Sequence, residues 1–115
     1  MCPVRNVTPE LTERIGREVA SLEARGHQVH WPARDTDQVD TTGLRICKDN
    51  RNAIETADQI HVIWDGQSQG SLFDLGMAFA LRKPVVVVAG GFPERTSGKS
   101  IPNVVHDWSQ HGAGE

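Results

Sequence analysis

The chain has 115 residues and carries 15 acidic against 12 basic side chains, a formal charge of −3; that length suits one domain with a single core. No Lys/Arg-rich block or basic stripe is present, which argues against nucleic acid as the main partner. Mean hydropathy is −0.42, and the longest apolar run, Pro84 to Ala89, is far short of the ~20 residues of a membrane span.

In chain order, Val4 to Val7 is a short strand candidate. Thr8 is a good N-cap and Pro9 suits the first helical position. Leu11, Ile15, Val19 and Leu22 then recur at helical spacing, and Gly26 ends that helix. Gln28 to Trp31 reads as a strand stopped by Pro32, and Ala33 to Thr41 as a polar loop. A second helix is predicted over Thr42 to Ala57, with Ile46, Cys47, Ala53, Ile54 and Ala57 on its apolar stripe. Asn50 falls on the same stripe, and a polar residue on an inward face needs hydrogen-bond partners. A strand Gln59 to Trp64, a loop Asp65 to Ser71, a helix Leu72 to Arg82 and a strand Pro84 to Ala89 follow. The tail from Gly90 is rich in Gly, Pro and Ser, with an edge strand expected at Asn103 to Trp108 and fraying over the last residues.

Strands alternating with helices predict an α/β fold: one doubly wound, mostly parallel sheet covered on both faces. The unbroken Val85 to Val88 fits a strand buried on both sides. The expected order is 2-1-3-4-5, flavodoxin-like, with ligands at the carboxyl ends of strands 1 and 3. Segments after strands 1, 3 and 4 would then converge on one rim. Ser68, Gly70 and Ser71 offer hydroxyls and flexible backbone there to an anion at a loop-to-helix junction.

Asp74 has two readings. With Ser71 as N-cap it falls at N3 and completes a variant capping box, a purely structural role. Facing a cleft instead, its carboxylate can attack a glycosidic carbon or stabilise an oxocarbenium-like transition state. Such chemistry needs a second group to protonate the leaving base. Asp49, Asp58 and Asp65 are the acids nearest in sequence. Asp58 is expected to end the second helix, and Asp65, before a glycine, to hydrogen-bond its own loop. Neither metal nor cofactor is called for.

The stretch ADQIHVIWDGQSQGSLFDLGMAFALRKPVVVV resembles the core of the nucleoside 2-deoxyribosyltransferase family and is similar to the related nucleotide N-glycoside hydrolases. Asp58, Gly70, Asp74, Leu75, Gly76, Ala78, Lys83 and Pro84 carry the match, and the opening CPVRN fits more loosely. The resemblance implies a Rossmann-like domain that cleaves or transfers at the N-glycosidic bond of a nucleoside or nucleotide. It implies Asp74 as the catalytic carboxylate. The substrate would be held by Arg5, Asn6, Asn50, Asp65, Gly66, Ser68, Gly70 and Ser71. It also implies a homo-oligomer, to which Phe92, Val104, Val105 and Trp108 could contribute.

Two positions depart from the family pattern. The family acid is usually Glu where this chain has Asp74, a carboxylate about 1.5 Å shorter in reach. A family acid on the second helix is replaced by Asn50, with Asp49 one residue off the face. These departures motivate a competing reading, a nucleotide-binding or sensing module that keeps the pocket and has lost the reaction. A structural subunit of the same fold is the third class, because fold does not dictate function.

Other motifs carry less. Gly98-Lys99-Ser100 follows a strand, but the first glycine of a P-loop would be at 93, which is Pro93. His27 and His30 are three apart on an expected strand and would face opposite ways. His61 reads as a satisfied core or rim histidine, and His106 and His111 lack an informative partner. Gly76 inside a helix is expected to allow close approach to the sheet. Trp64 is expected in the core, with base stacking as its other use. Cys2 and Cys47 lack metal or redox spacing, and the chain opens without the charged-then-apolar pattern of a secretion signal. A reduced, cytoplasmic setting is the expectation.

Overall fold

The computed structural model describes residues 8–112. The strand expected at Val4 to Val7 therefore lies outside the described residues, as do Arg5, Asn6 and Cys2.

Helix α1, Pro9–Ala24, begins as its sequence dictates: the Thr8 hydroxyl accepts the Leu11 amide at 3.1 Å. Gly26 follows its end with φ of 90°, a left-handed conformation that glycine adopts without steric cost. Ile15 and Val19 are its buried residues. Gln28 to Trp31 forms no strand among the described residues. Its expected neighbour in the sheet was Val4 to Val7. What holds it is side-chain burial: Val29 and Trp31 pack with Leu11 and Val88 against Ile15, Val19 and Ile63.

The stretch read as plain loop contains one helical turn, α2, Pro32–Asp35. Pro32 sits at its start, and the Asp35 carboxylate accepts the Trp31 amide at 2.8 Å. Helix α3, Leu44–Thr56, follows, with Asn50 and Ile54 buried. Strand β1, Ile60–Val62, helix α4, Gln69–Ala80, and strand β2, Val85–Val87, form the expected crossover unit. β1 and β2 pair in parallel, with Ile60 opposite Val85 and Val62 opposite Val87. They are the two strands of the sheet among the described residues, so of the expected order only the adjacency of strands 3 and 4 is seen.

Helices cover both faces of this sheet, as expected for an α/β protein. Ile60, Val62 and Trp64 point to one side and pack with Ile54, Leu75, Ala78, Val105 and Trp108. Ile63 points to the other side and meets α1, following the period-two geometry of a strand. No helix among the described residues is long and apolar enough to cross a membrane.

The expected edge strand at Asn103 to Trp108 is instead helix α5, Ile101–His111. Ser100 caps it by accepting the Asn103 amide at 3.1 Å, and Pro102 stands in its first turn. Val105 and Trp108, three apart, are buried against β2 and α4. Burial at helical spacing outweighed the local β preference of Val104 and Val105. Those buried positions also remove Val105 and Trp108 from the residues available to a second copy of the chain.

Candidate active site

The loop after β1 builds the site from the backbone outward. The Asp65 carboxylate accepts the amides of Gln67 at 2.8 Å and Ser68 at 2.9 Å. Those two bonds hold its carboxyl below the usual range and spend it on the turn, as an Asp before a glycine does. Gly66 has φ of 84°, which permits the sharp reversal. Trp64 is buried, donates its indole N–H to the Ser68 carbonyl at 3.0 Å and lies 6.0 Å from the Phe92 ring. It is a core residue that anchors this loop and leaves no face for a base. The Trp64 amide bonds the Gly91 carbonyl at 2.8 Å, which ties together the loops at the carboxyl ends of β1 and β2.

Helix α4 starts one turn earlier than the sequence suggested. Ser68 is its N-cap, with its hydroxyl accepting from the Ser71 amide. Gly70 is exposed in the first turn, and no atom outside its immediate backbone lies within 4 Å of a Cβ built there. Ser71 is buried, and its hydroxyl has no hydrogen-bond partner among the described residues. The two serines are three apart, so either offered a valid cap by local pattern. Burial decided between them.

This shift changes the meaning of Asp74. Counted from Ser68 it lies in the second turn, beyond the reach of a capping box. Its side chain faces inward, towards Asn50. Burial pushes its carboxyl up to about 6, while hydrogen bonding from the Asn50 side chain pulls the other way. A carboxylate withdrawn from water prefers its neutral form unless a donor compensates.

The two residues come from different helices and meet because α3 packs on α4. Asn50 is 8% exposed, and its side-chain oxygen accepts the Thr36 hydroxyl at 3.1 Å. Asn50 and Asp74 both line a cavity of about 490 Å³ whose other walls come from α1, the 27–32 segment and β1. Asp49, one residue away, is turned to Arg45 at 2.7 Å and does not join them. Asp58 is exposed just past the end of α3.

Several family-pattern residues have plainly structural duties. Lys83 donates to the carbonyls of Glu55 at 2.7 Å and Ala57 at 2.9 Å, placing a cation on the exposed carbonyl end of α3. The Lys83 carbonyl accepts the Trp108 indole N–H at 2.9 Å. Leu75 and Ala78 belong to the core. Gly76 corrects the expectation of close approach: it is exposed, and a Cβ built there meets nothing within 4 Å. His61 is satisfied by Glu18 at 3.2 Å and Gln59 at 2.9 Å. At Gly98-Lys99-Ser100 a helix does begin, contrary to the strand-like reading. The Asn103 side chain there binds the carbonyls of Thr96 and Gly98, each at 2.8 Å.

Sequence reasoning singled out Ser68, Gly70 and Ser71, which lie at the start of α4, and Asn50 and Asp74, which line one cavity. It missed Thr36, which periodicity left as one polar loop residue among many. The available hint was the demand of Asn50 for partners.

The model of the family described as Nucleoside 2-deoxyribosyltransferase matches residues 6–103. No curated protein and no solved structure matched the chain.

Proposed function

Since this chain belongs to the nucleoside 2-deoxyribosyltransferase family, whose reaction is cleavage or transfer at the N-glycosidic bond of nucleosides, we propose that it is an active enzyme of that kind with Asp74 as its nucleophile. The observation that carries this reading is the inward, partly desolvated Asp74 carboxylate beside Asn50, with no capping duty to occupy it. A group titrating near 6 is mostly ionised at pH 7 and still close enough to neutrality to be reactive.

In the forward step a carboxylate oxygen of Asp74 bonds to the anomeric carbon. The carbon–nitrogen bond breaks, and its electron pair leaves with the base, which takes up a proton from solvent that the incoming water or second base returns in the next step. Water or a second base then displaces Asp74, and the carboxylate is regenerated. Ser68, Gly70 and the Ser71 hydroxyl, which has no partner among the described residues, supply donors and open backbone for the sugar or its phosphate at the start of α4. Arg5 and Asn6, taken from the sequence, complete the proposed binding set. Asp65 and Gly66 act through the shape of their turn.

Release of free base from a panel of nucleosides and nucleotides tests the proposal. Wild type should release base and Asp74→Ala should not. No release by wild type, or equal release by the variant, would refute it. Saturable nucleotide binding without release would mark the binding-module alternative, which the Asp-for-Glu and Asn-for-acid departures favour.

A homo-oligomer is part of the same reading. Leu72, Phe73 and Phe79 on α4 are 42%, 59% and 51% exposed, and Val104 on α5 is 48% exposed. These apolar side chains sit on the helix that carries Asp74 and on its neighbour, a surface suited to a second copy. Sedimentation of the purified chain at micromolar concentration checks it, and a monomer would refute it.

A further inference from the structure

Asn50 raises a question of orientation. A side-chain amide is a donor at one end and an acceptor at the other, and the two ends have nearly the same shape. Which end meets Asp74 decides what Asp74 is. An NH2 group stabilises the ionised carboxylate, whereas an amide oxygen stabilises the protonated acid.

In the structure the oxygen end of Asn50 meets Thr36, which leaves its NH2 end for Asp74. Thr36 is 6% exposed and its hydroxyl lies 3.1 Å from the Asn50 side-chain oxygen. The same hydroxyl lies 3.0 Å from Nε2 of His30. A threonine hydroxyl has a single proton. Donated to Asn50, it leaves lone pairs facing His30, so His30 donates from Nε2–H. With that placement the donors run from His30 to Thr36 and from Thr36 to Asn50, and the Asn50 NH2 is left for Asp74, which lines the same cavity.

Thr36 is itself well anchored. Its amide bonds the Pro32 carbonyl at 3.0 Å, and its carbonyl accepts the Gln38 side chain at 3.1 Å. Arg45 of α3 reaches back to the carbonyls of Asp37 at 2.5 Å and Val39 at 2.9 Å. The loop is thereby clamped to the helix that carries Asn50.

We infer that Thr36 is the positioning residue of this site: its hydroxyl orients the Asn50 amide so that the NH2 end faces Asp74 and keeps that carboxylate ionised for attack. The inference rests on the proposed role of Asp74 for its catalytic meaning, and on the Thr36–Asn50 hydrogen bond for the orientation. The other titratable groups lining the shared cavity are Glu18 of α1, His27, His30, Asp58 and His61 of β1. Of these, Glu18 and His61 are bonded to each other.

The test reads Asp74 directly. The carboxyl carbon of Asp74 is followed by NMR as pH is varied, without substrate, in wild type, Thr36→Val and Thr36→Ser. Valine has the shape of threonine and lacks the hydroxyl, which frees the amide to turn. The midpoint, near 6 in wild type, should rise by about one pH unit in Thr36→Val, the size of one charge-assisted hydrogen bond. Thr36→Ser should restore it. In an Asn50→Ala background the Thr36→Val change should have no further effect. Thr36→Ala serves equally if the valine variant does not fold.

An unmoved midpoint, or a shift that serine fails to reverse, would overturn the assignment. Because no substrate is present, that failure stands apart from the base-release assay. A shifted titration with no base release would sink only the catalytic reading. With activity present, the acid limb of the kcat profile should move with the midpoint while KM stays constant, a split that a merely structural role would not give.

Discussion

Asp74→Asn should make the protein more stable at neutral pH and give almost no gain in acid. The ordinary carboxyl value near 3.8 is raised in the folded state to about 6, chiefly by burial. Folding therefore favours the protonated form. The full stability of the fold is present below about pH 4 as far as this group is concerned, and it is lost as pH rises through 6. At about 1.36 kcal/mol per pH unit the gap corresponds to about 3 kcal/mol. The side chain is not fully withdrawn from water, so solvent screening reduces this to about 2 kcal/mol. Asparagine keeps the shape and does not ionise. Urea unfolding of wild type and variant at pH 4 and pH 7.5 measures the difference directly. The advantage of the variant should grow by about 2 kcal/mol between the two. Asp65, held below its usual range by the Gln67 and Ser68 amides, works in the opposite sense in both proteins and cancels in the comparison. An advantage that is the same at both pH values would refute the claim that Asp74 is a buried carboxylate kept at an energetic cost.

Three further outcomes follow from the local geometry. Arg82 has φ of 58° and sits just past α4, with its amide on Phe79 and the next amide on Ala78. This is a Schellman arrangement that favours glycine, so Arg82→Gly should stabilise by about 1 kcal/mol in urea unfolding. Lys83→Met removes the cation from the end of α3, and should cost about 1–2 kcal/mol and speed amide exchange at Ala57, whose own amide bonds Ala53 and Ile54. Asn103→Ala strips the side chain that binds the Thr96 amide at 3.0 Å and two carbonyls. A loss of about 2 kcal/mol is expected, read as a lower melting temperature, and unchanged exchange at Thr96 would contradict it.

Local pattern in the sequence reached a long way. The Thr8-Pro9 start and the Ile15, Val19 spacing specify α1. The alternation Ile60, Val62, Trp64 against Ile63 specifies a strand buried on two faces. These signals survive without tertiary knowledge because each element repeats its burial at its own period. The misreadings fall where two local signals compete. Val104-Val105 favoured a strand, while Ser100, Pro102 and the Val105, Trp108 spacing favoured a helix. Ser71 was the expected cap, and Ser68 takes that place, with its carbonyl held by the Trp64 indole and Ser71 buried.

By itself, then, the sequence determined the α/β class, the loop-to-helix junction and the carboxylate on the helix that follows. These depend on residues a few positions apart. Tertiary structure decided what surrounds that carboxylate. Asp74 is 24 residues from Asn50 in the chain, Asn50 is 14 from Thr36, and the three meet only because α3 packs on α4 and Arg45 folds the loop back. A hydrogen bond has no periodicity, so partners set by packing leave no trace in local spacing.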